Sequence, residues 1–428
     1  MAGTSTHEGP TVRTQLQLAV PALLVGTVSA LGLFVVDEVA LVVEHLLWST
    51  LPSLWGLDPG SGWWILGVLT LTGLAVGLVV QFVPGHGGRD SATTELIAPP
   101  LKLAAVPSLV LVTVLGLAGG VSMGPELPII AINTAVLVAL VARWWPRVPV
   151  ELVVLITASG TIGALFGTPV AAALVLTGVV AAFKQGGALW DRLFLPLAAA
   201  GAGAVTMRWL AGPQLPEAGP PPLGTPDAVD LATGLAVAVG GALVGLATVH
   251  LFPHLHRLFH SLRHPVLYST LGGLLLGVLG VLGGPITLFK GARQTGELIQ
   301  NAADYSPWQL ALVVAVKLAA LLVAASAGFR GGHVFPAVFM GAGVGLLGHA
   351  LIPGMPLGLA LACGVLGVLL PVTRDGWISL FVAVVLVGDV TVLAVLSLVI
   401  LPVWLLVSRA PGMVVSPPGS PEASEPTL

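Results

Sequence analysis

The stretch LAGGVSMGPELPIIAINTAVLV, residues 117–138, decides the fold. Gly119, Gly120 and Gly124 lead into Pro125 and Glu126, and an apolar helical pattern follows. Proline suits the first turn of a helix, where its missing N–H is not needed. Glycine lets backbone amides approach an ion. A helix that starts inside an apolar medium presents free N–H groups and a partial positive charge, and that favours an anion. Glu126 sits in the first turn, so its own carboxylate can occupy the anion site, and protonation would release it. The plainer alternative is a glutamate capping a helix near an interface. An ionisable residue inside an apolar segment is a functional candidate by default, and the glycines before it lack a purely packing explanation, although small residues do serve helix contacts.

The medium is legible from composition. Of 428 residues, 56% are hydrophobic and only 8% charged, against about 25% charged in a soluble domain. Mean hydropathy is +1.01. Apolar segments lie near 15–50, 62–83, 100–120, 126–142, 149–183, 193–211, 229–252, 267–290, 308–327, 333–352, 356–371 and 377–408. A membrane helix needs about 20 apolar residues, so these runs imply an all-α integral membrane protein with on the order of 15 to 18 helical segments, several too short to span. The net charge of −3 offers no basic patch for nucleic acid. Cys363 is the only cysteine, which excludes an intrachain disulfide. Residues 1–13 are polar and run straight into an apolar segment, unlike a signal peptide. No cofactor is implied.

Five regions follow: a polar segment 1–13, a first membrane half 14–211, an external Pro-rich linker 212–228, a second membrane half 229–409, and a disordered tail 410–428 rich in Pro, Ser and Glu. Loop charges orient them. The stretches from Lys184 to Arg192 and from Arg257 to Arg263 are basic, whereas 211–230 holds Glu217, Asp227 and Asp230 and no Lys or Arg. The loop LPSLWGLDPGSGWW carries Asp58 and three tryptophans. By the positive-inside rule the acidic loops face outward and both termini are cytoplasmic. The halves echo one another: TTELI (93–97) with TGELI (295–299), LKLAAV (101–106) with VKLAAL (316–321), and glycine turns ending in Pro128 and Pro336, at offsets of 202, 215 and 208 residues. Two halves with glycine-interrupted apolar segments in matching places are the pattern of a repeat transporter, whose site lies where broken helices meet.

The partner turn is ASAGFRGGHVFPAVFMGAGVGLLG, residues 325–348, where a helix starts near His333 and the amides of His333, Val334 and Phe335 would face an ion. The following GAGVG reads as a small-residue helix contact. A third turn, VPGHGGRDSATTELI (83–97), opens a helical stretch in which Gly85, Gly87 and Gly88 could aim amides at an anion and Arg89 could attract one. Its alternative is a polar loop capped by Asp90 or Ser91. His256, His260 and His264 fall at i, i+4 and i+8, a spacing that can bind metal. The segment has no carboxylate or cysteine, so it reads as an interfacial amphipathic stretch and no metal site is assigned.

Together these residues resemble the CLC chloride channel and transporter family, over roughly residues 15–408. The family's markers are Gly-Ser-Gly-Ile-Pro, Gly-Arg-Glu-Gly-Pro and Gly-Gly-Ile-Phe-Ala-Pro. The second reads here Gly124-Pro125-Glu126-Leu127-Pro128, the third Gly331-Gly332-His333-Val334-Phe335-Pro336, and the first only Gly85-His86-Gly87-Gly88-Arg89. Residues 157–176 are similar to the family's small-residue stretch before a helix led by Ala-Pro. The resemblance implies a homodimer in the plasma membrane, an inverted repeat of tilted and broken helices, and one anion pathway per subunit. It implies Glu126 as the gate and an anion site built from His86, Gly87, Gly124, Pro125, Gly332, His333, Val334 and Phe335, with His86 in place of a serine. Two departures follow from it. The exchangers' inward glutamate falls at Gly178 or Val179, and the last helix with its central tyrosine should follow residue 408, where a Pro-rich tail begins; neither Tyr268 nor Tyr305 fits that place.

The expected function is therefore passage of a small anion, chloride first, as a channel or weakly proton-coupled transporter of the voltage-gated chloride channel type. Alternatives are a proton-coupled exchanger with another inner proton route, a metal carrier using the histidine face, and a membrane enzyme. An enzyme would need a catalytic pair within the membrane, and Glu126 has no evident partner in the sequence.

Overall fold

The computed structural model describes residues 12–182, 189–212, 220 and 222–415. The first half contains α1 (Val12–His45), α2 (Leu51–Leu54), α3 (Gly62–Phe82), α4 (Val106–Ala118), α5 (Glu126–Trp144), α6 (Val150–Phe166), α7 (Pro169–Ala182) and α8 (Leu189–Ala211). The second contains α9 (Ala228–His260), α10 (Pro265–Gly283), α11 (Ala292–Gln300), α12 (Pro307–Ser326), α13 (Val334–Leu351), α14 (Leu357–Thr373), α15 (Gly376–Val387) and α16 (Val392–Val407). Among the described residues no strand occurs, and eight helical stretches are long and apolar enough to cross a bilayer. The chain is a multi-pass integral membrane protein.

Local chemistry accounts for the helix ends. Asp227 accepts hydrogen bonds from the Val229 and Asp230 amides and starts α9. Ser306 and Gln309 form a reciprocal box at the start of α12, which satisfies amides that have no partner inside the helix. The apolar run 149–183 breaks into α6 and α7 at Gly167, whose φ of +69 places it in the left-handed region. The matching break between α14 and α15 falls on Arg374, also left-handed at φ +56. A side chain there costs on the order of 1 kcal/mol. Arg374 offsets it by donating to the carbonyls of Val407, Ser408 and Ala410 at the end of α16.

The repeat seen in the sequence has a structural counterpart in helix order, but the echoes do not all share a conformation. TGELI lies within α11, whereas only Thr93 of TTELI belongs to a 3-10 turn, Ser91–Thr93, and the rest is irregular chain. The helical stretch expected after residue 83 is thus absent. Pro99 and Pro100 follow TTELI, and a proline disfavours helical backbone before it while lacking the N–H a helix needs; TGELIQNAAD has no proline. The lysines of the second echo also differ, Lys102 being exposed and Lys317 completely buried. The tail expected to be disordered from residue 410 begins in place: Met413 is buried, and the Val415 amide donates to the Ala92 carbonyl at 2.7 Å. The remainder of that tail, 416–428, and residues 1–11 lie outside the described residues, as do residues 213–219 and 221 of the linker 212–228.

Helices α3 and α10 form a close pair because Gly73 and Gly273 meet: a Cβ on either would come 3.0 Å from the other's Cα. Gly273→Ala should therefore push the helices apart and destabilise the fold by about 1–3 kcal/mol. Thermal unfolding in detergent would show this, and a melting temperature equal to wild type would rule out a tight crossing here.

Candidate anion site

Helices α5 and α13 start 208 residues apart, at Glu126 and Val334, and neither start carries a side-chain cap. Their free N–H groups are therefore available to something else. The turns before them are locked together: Gly124 N–H donates to Gly332 O at 2.8 Å, and Gly332 N–H returns the bond to Gly124 O at 2.6 Å. Glu126 lies across this junction and is 2% exposed. Its Oε1 accepts from the Phe335 amide at 3.1 Å, at the start of the opposite helix. Its Oε2 is buried and has no hydrogen-bond partner. A Cβ on Gly124 or on Gly332 would overlap this carboxylate, so close approach is the reason for glycine at both places.

A family model described as voltage gated chloride channel matches residues 68–404. The chain belongs to the CLC family. Among its relatives is YfeO of Escherichia coli, a candidate ion-transport protein by its name, 46% identical over 411 residues that cover 96% of this chain and 97% of YfeO. Two solved structures share the fold, each with a TM-score of 0.73. One is a CLC-type fluoride/proton antiporter, 17% identical, covering 94% of this chain and 98% of its own. The other is a slow cyanobacterial Cl−/H+ antiporter, 14% identical, covering 94% and 96%. Anion transport, as a channel or a proton-coupled antiporter, is the activity of this family.

In this CLC protein the third turn is tied to the turn before α13 by Arg330, which is 9% exposed. Its Nε donates to Gly87 O at 3.2 Å and its Nη1 to Gly328 O at 3.0 Å, and Nη1 lies 3.2 Å from Asp90 Oδ1. The Gly331 amide donates to Ser91 Oγ at 3.0 Å. Burial alone would raise the Asp90 carboxyl, but Arg330, His256, His260 and the Ala92 amide together hold it well below the usual carboxylate range. The turn holding Gly87, Asp90 and Ser91 thus meets the turn before α13 through a carbonyl, a carboxylate and a hydroxyl. Two of the groups that the sequence assigned to it, the His86 ring and the Gly87 amide, are occupied elsewhere. His86, left-handed at φ +51, bonds through ring Nδ1 to Val80 O at 2.9 Å, and the Gly87 amide donates to Ser108 Oγ at 3.2 Å.

The structure brings Glu126, Gly124, Pro125, Gly332, His333, Val334 and Phe335 to one junction, with Pro125 and His333 as the residues just before the two helices. Sequence reading missed Lys290 and Arg330. Lys290 Nζ lies 5.8 Å from the centre of the Phe335 ring and 3.6 Å from Asp37 Oδ1. Phe335 stacks on Phe166 with centroids 6.2 Å apart. Both cations stand beside or within apolar runs, and that was the available signal. Gly178 and Val179 fall in α7, where side chains beyond Thr177 lie outside the described residues.

Proposed function

We propose that this CLC protein carries small anions, chloride first, through the junction of α5 and α13, with Glu126 as the gate. The observation that carries the reading is the Glu126 carboxylate, a negative group already accepting the Phe335 amide at an uncapped helix start. A free anion would seek the same N–H groups, and two negative charges do not share a poorly solvated site. Glu126 must therefore move or take a proton before an anion can enter.

Family membership favours transport over the enzyme alternative. The loop charges support cytoplasmic termini, and the resemblance supports a homodimer in the plasma membrane. Gly178 and Val179 offer no proton-carrying group, which favours a channel or a weakly coupled transporter. The two structural neighbours are antiporters by name, so an exchanger with another inner proton route is the second reading. Reconstitution into liposomes, with anion flux and internal pH recorded together, separates them.

His86 provides a narrower test. If its ring serves the inner approach to the site, removing it should weaken anion binding, so His86→Ala should differ from wild type by several-fold in affinity. Equal affinity in the two would reject the role.

A further inference from the structure

Helix α9 ends beside the turn that holds Asp90. His256 and His260 are one helical turn apart, with rings stacked at 3.9 Å and an interplanar angle of 21°. Both Nε2 atoms approach the same oxygen, Asp90 Oδ2, at 3.9 Å for His256 and 3.5 Å for His260. His260 Nδ1 lies 3.0 Å from the His256 carbonyl. A carbonyl only accepts, so Nδ1 carries the proton, and in the neutral ring Nε2 holds the lone pair. That lone pair faces a carboxylate oxygen, and two acceptors at this range require a cation between them. His256 Nε2 is buried and has no hydrogen-bond partner, in a residue only 8% exposed.

We infer that Asp90, His256 and His260 form a binding site for one divalent transition-metal ion of the zinc class. Their ligand atoms all lie within 4.8 Å of one another. Bonds of about 2.0–2.1 Å in a tetrahedral site place ligand atoms about 3.3 Å apart, so a bound metal would draw the three atoms together and turn the two stacked rings until their Nε2 lone pairs converge. The His260 Nδ1–H bond to a carbonyl is the second contact that orients a metal-binding imidazole. Two imidazoles and one carboxylate suit zinc, whereas calcium and magnesium take oxygen ligands.

The charged and polar surroundings fit this assignment. Arg330 Nη1 occupies Asp90 Oδ1 and leaves Oδ2 free, although its positive charge lowers the affinity. Tyr268 of α10 stacks on His260 with centroids 4.8 Å apart. The His260 side chain is 32% exposed, which gives an ion a way in. His264, grouped with the other two by spacing, precedes α10 and is not part of the cluster. The missing carboxylate comes from a turn far away in sequence. Since Asp90 also contacts Arg330 and adjoins Ser91, a bound ion would clamp α9 to the scaffold under the junction of helix starts. None of this depends on Glu126 acting as a gate.

The test is zinc binding by the full-length protein in detergent, after chelator treatment. Calorimetry at neutral pH and metal content per chain should give one zinc ion, bound in the micromolar range or tighter, that excess calcium does not displace. His256→Gln and His260→Gln should each weaken binding at least tenfold. The exposed pair His250 and His254 has the same spacing on α9, and the double variant His250→Gln/His254→Gln should keep the site. Asp90→Asn should also lose zinc, but it removes the partner of Arg330, so the histidine variants are the decisive ones. Unchanged affinity in His256→Gln and His260→Gln would overturn the proposal. So would wild-type binding no tighter than millimolar, which would make the cation between His260 and Asp90 a proton.

Discussion

Glu126→Gln, reconstituted in liposomes, is expected to raise anion flux at neutral pH by on the order of tenfold and to flatten the response to acid. Glutamine keeps the size of the side chain, and its carbonyl can still accept the Phe335 amide. What it loses is the charge. Two unit charges 4 Å apart repel by about 4 kcal/mol at an effective dielectric of 20, and a tenfold effect requires only about 1.4 kcal/mol of that. In the wild type the carboxylate is charged at high pH and excludes the anion. Acidification on the side it faces neutralises it, so flux rises as pH falls. The variant is already neutral and should respond little. Unchanged flux and unchanged pH response would remove Glu126 from the gate. Proton flux in the same vesicles decides a separate point: tight uphill proton movement would refute weak coupling and leave the gate intact.

Lys317→Met is expected to give the largest loss of stability. Lys317 is completely buried in α12, and its Nζ donates to the carbonyls of Thr287 at 3.0 Å, Leu288 at 3.2 Å and Phe289 at 2.7 Å. An ammonium has three N–H groups, and each finds an acceptor. Methionine fills the volume but strands the carbonyls, and each buried acceptor left without a partner costs about 1–3 kcal/mol. A total of about 3 kcal/mol or more follows, read as a melting temperature several degrees lower in detergent. The damage also reaches the site. Phe289 N–H donates to Gly120 O at 2.9 Å, so the loop that Lys317 holds is the one fastened to the turn before Glu126. The variant should therefore lose flux in proportion as it loses the loop. A melting temperature equal to wild type would show that the three bonds contribute nothing net.

Much of the architecture was legible because a bilayer imposes simple local demands. A span needs a long apolar run, and the first turn of a helix tolerates a proline such as Pro125, whose missing N–H is not needed there. Glu126 stood out for the same reason, as a charge in a segment with almost none. Gly124 and Gly332 were legible as unusual, but their purpose was not. Only the folded chain shows that each faces the Glu126 carboxylate, where a Cβ would collide. Lys317 was visible as one letter of a repeat, and nothing local marked it as the buried member and Lys102 as the exposed one.

The sequence by itself determined the medium, the helical class, the two-fold plan and one candidate gating carboxylate, because hydropathy, proline and glycine act over a few residues. Tertiary structure alone decided which groups meet. Arg330 joins Gly87 and Asp90, and Asp90 supplies the carboxylate that the α9 histidines lack in their own segment. Likewise TTELI and TGELI, nearly one string, part ways into irregular chain and helix. Such pairings depend on where distant turns are carried by the packing of helices between them. No local pattern encodes that distance, since a hydrogen bond or an ion pair is set by separation in space and not along the chain.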